Sequence, residues 1–224
     1  MRFSSFSNFS LVGWLQDTAA KIKDDYLNFH TVVAILCVGG LLYLGWPELG
    51  VSQPPGILVP RAPIQGPPYN TAQSFPFKSY QITPLADYDI AARVLAKQTY
   101  FFGREADIAP VDLTLGWQDM SDTKVLQHYS FRISQRWSSW KDDLPDLDDY
   151  AAKHSANTHM IPATKQIEQY LRHARVGQLV HLKGVLVQVR GHDGYSWTSS
   201  LTRDDTGWGA CELMYVQSVE DKIN

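Results

Sequence analysis

The stretch "LVHLKGVLVQVRG", Leu179 to Gly191, decides the fold. Val180, Leu182, Gly184 and Leu186 recur every second residue, the period of a strand with one face buried. A glycine in the middle of such a run marks a sharp bend or a close approach of another backbone. The residues "GHDGY" (191–195) that follow carry turn chemistry, and "YSWTSSLTR" (195–203) and "ACELMYVQSV" (210–219) supply two further strand candidates. Three consecutive antiparallel strands around a mid-strand glycine predict a curved antiparallel sheet or small barrel.

Upstream, "ATKQIEQYLRHARVG" (163–177) reads as a helix over Thr164 to Ala174. Ile167, Tyr170, Leu171 and Ala174 form its apolar stripe, Glu168 can pair with Arg172, and Gly177 is the expected stop. "SANTHMIPAT" (155–164) reads as a polar loop entering that helix, with Pro162 near the first helical position or Thr164 as the cap. "SDTKVLQHY" (121–129) predicts a short helix capped by Ser121 or Asp122. "YSFRISQRWSSW" (129–140) reads as one strand with Tyr129, Phe131, Ile133, Gln135 and Trp137 on one face. "YDIAARVLA" (88–96) fits strand and helix alike. The fold class is therefore α+β, with the sheet or barrel packed on one or two helices.

The N-terminal part has a different character. From Tyr26 to Pro47 the chain contains no Asp, Glu, Lys or Arg, and a run of that length spans roughly the 30 Å hydrocarbon core of a bilayer as a helix. Tyr26, Phe29, Tyr43 and Trp46 bracket it as interfacial aromatics do. The reading is a cytoplasmic amphipathic segment over 1–29 and one transmembrane helix over 30–46. Arg2, Lys21 and Lys23 precede the span while Arg61 alone soon follows it, which places the N-terminus in the cytoplasm and the distal domain outside it. Residues 47–77 hold eight of the twelve prolines and read as a semi-rigid linker. The distal domain, 78–224, carries 16 Lys and Arg against 19 Asp and Glu. That balance disfavours nucleic acid as a partner and points to glycan or protein.

The motifs "DLTLGWQDMSD", "SANTHMIPAT" and "SSLTRDDTGWGACELMYV" together resemble a family of uncharacterised bacterial proteins with one N-terminal membrane helix and a soluble domain. The resemblance covers roughly Lys78 to Val219. It implies a bacterial inner-membrane protein with a periplasmic domain, and it implies no activity or cofactor.

Two functions compete. The first is a non-enzymatic binding or assembly module in an envelope or secretion-type complex, touching its partner or a small ligand through Arg203, Asp204, Glu212, Trp197 and Trp208 around a Gly-rich turn. The second is a membrane-anchored hydrolase with His159 as base, Asn157 or an aspartate orienting it, and Cys211, Ser199 or Ser200 as nucleophile. The residue types suit the second, but no nucleophile-elbow pattern surrounds them. No metal site is expected: His154 and His159 are five apart, and Asp146, Asp148 and Asp149 lack the glycine and terminal Glu of a calcium loop. Cys37 lies in the apolar run, apart from Cys211, so no intrachain disulfide is expected.

Overall fold

The computed structural model describes residues 11–44, 49–68, 73–143, 148–202 and 209–220. The chain divides into two units between Glu48 and Leu49. The first contains helix α1 (Leu11–Leu44), unbroken over 34 residues, so the amphipathic segment and the expected span share one helix. Among the described residues no helix is long and apolar enough to cross a membrane. The last residues of the expected span, 45 and 46, lie outside them.

The second unit contains, in chain order, β1 (Ile64–Gly66), β2 (Phe75–Phe77), β3 (Tyr80–Thr99), α2 (Arg104–Ile108), β4 (Val111–Gly116), α3 (Thr123–Leu126), β5 (Tyr129–Ser134), β6 (Trp137–Asp142), α4 (Asp148–His154), β7 (Ser155–Pro162), α5 (Lys165–His173), β8 (Leu179–Gly191), β9 (Ser196–Thr198) and β10 (Glu212–Val219). Five of these strands close on themselves: β3 pairs β4, β4 pairs β7, β7 pairs β10, β10 pairs β8, and β8 returns to β3. All pairings are antiparallel except β7 with β10. Counted in chain order, the ring runs first, second, third, fifth, fourth, with α5 between the third and fourth strands. This is the connectivity of an OB-type Greek-key barrel. The expectation of three consecutive antiparallel strands is corrected in one respect, since β10 docks between β8 and β7 rather than beside β9.

The barrel interior is apolar. Tyr88, Ile90, Val94, Val111, Leu113, Leu115, Met160, Leu182, Leu186 and Met214 fill it, and Ile167 and Leu171 of α5 close one end. Thr164 caps α5 by accepting from the Ile167 N–H at 3.2 Å, and the helix stops at His173, before Gly177. Gly184 is needed at the tightest point: a Cβ there would lie 2.0 Å from the Tyr215 carbonyl oxygen of β10. A second cluster, with Ile108, Ile161, Val185, Val187, Val189 and Leu213, lies on the opposite face of the same strands.

Three local expectations change. "SANTHMIP" is not a loop but strand β7, buried at every position, with Pro162 ending it. "YSFRISQRWSSW" folds back as the β5–β6 hairpin through Gln135 and Arg136. The proline-rich stretch is bound to the barrel rather than free. Val51 N–H donates to the Val176 carbonyl at 2.7 Å, Leu58 and Val59 N–H groups share the Ser121 hydroxyl at 3.0 and 2.9 Å, and β1 and β2 both add to β3. Prolines forbid a helix or a central strand there, but the N–H groups between them still need acceptors.

Candidate active site

Alternation along the barrel strands sorts their side chains. On β4, Val111, Leu113 and Leu115 enter the interior core, which turns Asp112 and Thr114 outward. On β7, Ala156 and Met160 face inward, so Asn157 and His159 project from the outer face. Register places Asp112 directly opposite His159 and Leu213 opposite His159 on the other flank. Two residues before Leu213, Cys211 meets Asn157, whose Nδ2 donates to Cys211 Sγ at 3.3 Å.

Asp112, Asn157 and His159 are buried, and Cys211 lies half-buried beside them. His159 Nδ1 lies 2.9 Å from Asp112 Oδ1, with the two side chains 5% and 0% exposed. The N–H is not aimed well enough at that oxygen to count as a hydrogen bond, so charge and proximity hold the pair. Burial alone would lower the His159 pKa, but the close polar contacts with Asp112 and then Cys211 outweigh it and push the value up to about 9. An imidazole raised in this way is a cation at neutral pH.

The hairpin roofs this arrangement. Arg136 contacts Asp112 Oδ1 at 2.8 Å and Glu105 Oε2 at 3.1 Å, and its guanidinium lies 3.9 Å from the centre of the Tyr100 ring. Its carbonyl accepts from Asn157 Nδ2 at 2.8 Å. Burial, and then the neighbouring Asp112, raises the Tyr100 phenol far above its ordinary range. A cleft of about 420 Å³ opens onto the group, lined by His159, Cys211, Glu105, Arg136, Trp137 and Trp197 among others. Trp197 packs on the imidazole, ring centres 4.8 Å apart.

Of the candidates read from sequence, His159, Asn157 and Cys211 come together. Ser199 and Ser200 do not border the cleft. The Ser199 hydroxyl donates to the Ser200 carbonyl at 2.7 Å and accepts from the Leu213 N–H at 2.9 Å; that of Ser200 donates to the Thr202 carbonyl at 2.9 Å. They shape the approach to β10 instead. Trp197 is at the site, whereas buried Glu212 lies opposite Thr158 in the register and alternates onto the interior side with Met214. Arg203, Asp204 and Trp208 lie outside the described residues. Asp112, Arg136, Tyr100 and Glu105 were not legible as site residues. A lone Asp between Val111 and Leu113 marks an outward position and nothing more. Among the described residues no group of three or more His, Cys, Asp or Glu is arranged to hold a metal ion.

No family model, no curated protein and no solved structure matches this chain.

Proposed function

We propose that this chain is a membrane-anchored hydrolase of the acyl-transfer type, with Cys211 as nucleophile, His159 as general base and acid, and Asp112 as the group that orients and charges the imidazole. The observation that carries this reading is the meeting of a thiol and an imidazole at one cleft, with a carboxylate buried against the imidazole, from three neighbouring segments of one barrel. The same three roles recur on unrelated folds and are recognised by geometry rather than by sequence position. In the reacting form the Cys211 proton resides on His159; Sγ attacks the acyl carbon, forming a C–S bond and an oxyanion. His159 then protonates the leaving group as its bond to the acyl carbon breaks. Water, losing a proton to neutral His159, attacks the thioester, and the C–S bond breaks to release the acid. The Asn157 amide, already 3.3 Å from Sγ, is the donor placed to face the oxyanion. Among the described residues Arg136 and Arg104, the arginines beside the cleft, are matched by carboxylates, Asp112 with Glu105 and Asp193. This suits an uncharged substrate group.

With Cys37 replaced by Ser, Cys211 is expected to react with iodoacetamide at pH 7 at least about tenfold faster than free cysteine. His159→Ala should remove most of that advantage. A wild-type rate equal to that of free cysteine sinks the reading.

The anchor is the charge-free run from Tyr26 to Pro47, where Val32, Ile35, Leu36 and Val38 are exposed on α1 and call for an apolar cover. The tether lies in a bacterial inner membrane, with the N-terminus cytoplasmic and the barrel periplasmic. Extraction of the protein from membranes by alkaline carbonate would overturn it. A binding or assembly module acting through protein contacts is the second reading, favoured by Phe101 and Phe102, which are 70% and 94% exposed. A photo-crosslinker placed at Phe102 that captures no protein above an anchor-only control removes it.

A further inference from the structure

Gln135 and Arg136 form the two-residue turn between β5 and β6, and both have positive φ, 49° and 68°. Positive φ at both central residues belongs to the mirror-image hairpin turn, which normally takes Asn-Gly or Gly-Gly. Neither residue here is of that kind. Such a conformation persists only where the surroundings enforce it, and it concentrates at functional sites.

What enforces it is the cluster under the turn. The β5–β6 hairpin forms its own two-stranded sheet, with no strand pairing to the barrel among the described residues. Its base packs through Phe131 and Trp140 on the Leu95 and Met120 cluster, and its far strand is tied by Ser138 to Thr114 at 2.7 Å. At the tip, the Arg136 side chain is only 12% exposed. Its guanidinium bonds to Asp112 and Glu105 across the Tyr100 ring, while its carbonyl receives Asn157. One residue thus touches both groups that position the reacting pair: Asp112, which faces His159, and Asn157, which faces Cys211. Arg136 and His159 also share a single oxygen, Asp112 Oδ1, and leave buried Oδ2 without a hydrogen-bond partner among the described residues.

We propose that Arg136 is a positioning residue for the Cys211 site, delivered by the strained hairpin tip, and that its two-way hold on Asp112 and Asn157 sets the distance and charge balance of the His159–Cys211 pair. The inference rests on the reading of Cys211 as nucleophile. It assigns a role at the site to a hairpin that shares no strand pairing with the barrel among the described residues. Arg136 does not meet the substrate's reacting atoms; it acts through the carboxylate and the amide.

The experiment is the iodoacetamide rate at Cys211 in the full chain with Cys37→Ser, with folding checked by thermal melting. Arg136→Ala is expected to lower the rate about tenfold, the scale on which small misplacements act. Millimolar methylguanidinium should restore part of the loss, and urea at the same concentration should not. Arg136→Lys, which keeps the charge but loses the planar fork, should fall in between and provides the reading if Arg136→Ala does not fold. A folded Arg136→Ala or Arg136→Lys chain reacting at the wild-type rate overturns the inference, as does a loss that methylguanidinium leaves unchanged. A wild-type rate equal to free cysteine overturns the hydrolase reading itself, which keeps the two failures apart.

Discussion

His159 illustrates how a single side chain can couple chemistry to stability. Asp112, Cys211 and Arg136 face it directly, with Glu105 and Tyr100 behind Arg136. Its pKa is raised from 6.5 to about 9 in the fold, so the folded state binds a proton that the unfolded chain releases earlier. The resulting stabilisation is complete below about pH 6.5 and is lost as pH rises through about 9. Asp112→Asn removes the main source of the shift. The gap in melting temperature between wild type and Asp112→Asn should therefore be wider at pH 6 than at pH 9.5, and a gap that widens with pH would contradict this account. His159, Asn157 and Cys211 were legible as candidates because their residue types are those of thiol chemistry. Asp112 was not, since its role exists only through cross-strand pairing with a residue 47 positions away in the chain.

At the level of elements, legibility followed the period. β8 alternates cleanly and was found with its bend. β7 was misread because its composition is that of a polar loop. It is a strand whose inner face lines a barrel and whose outer face is covered by the hairpin, so both faces are buried and alternation of apolar with polar residues is lost. The hairpin was misread because its turn contains no Gly, Asn or Asp at Gln135 and Arg136 to announce a reversal. That absence has a measurable cost. A non-glycine residue in the left-handed region is disfavoured by roughly 1–2 kcal/mol, so Gln135→Gly is expected to raise stability by about 1 kcal/mol in urea unfolding after the entropy lost to glycine. A lower midpoint would mean that the Gln135 side chain supports the tip. By contrast, Gly184→Ala places a methyl 2.0 Å from the Tyr215 carbonyl oxygen and should cost more than about 3 kcal/mol, or prevent folding, because the obstacle is backbone. Wild-type stability in that variant would refute the close approach.

Across the second unit as a whole, the proline-rich stretch and the barrel form one body whose boundary falls at Leu49, ahead of the expected 78. Composition alone could not show this. Proline content excludes helix and central strand, yet a strap lying over a barrel satisfies the same exclusions as a free spacer. Ser121 is the key tie, since its buried hydroxyl accepts from both Leu58 and Val59 and donates to the Gln118 carbonyl at 2.6 Å. Ser121→Ala leaves buried N–H groups unpaired and should cost about 1–3 kcal/mol, with limited proteolysis appearing between residues 49 and 68. Unchanged protease resistance in a destabilised variant would show that the strap is held by other contacts.

The parallel pairing of β10 with β7 has a temporal meaning. β10 follows both β7 and β8 in the chain, and it must slot between those two strands before Cys211 can lie beside Asn157 and His159. Until then the thiol has neither its imidazole nor its amide, and the carboxylate has only arginine and histidine for company. Closing of the ring is thus what brings the thiol to the imidazole and the amide.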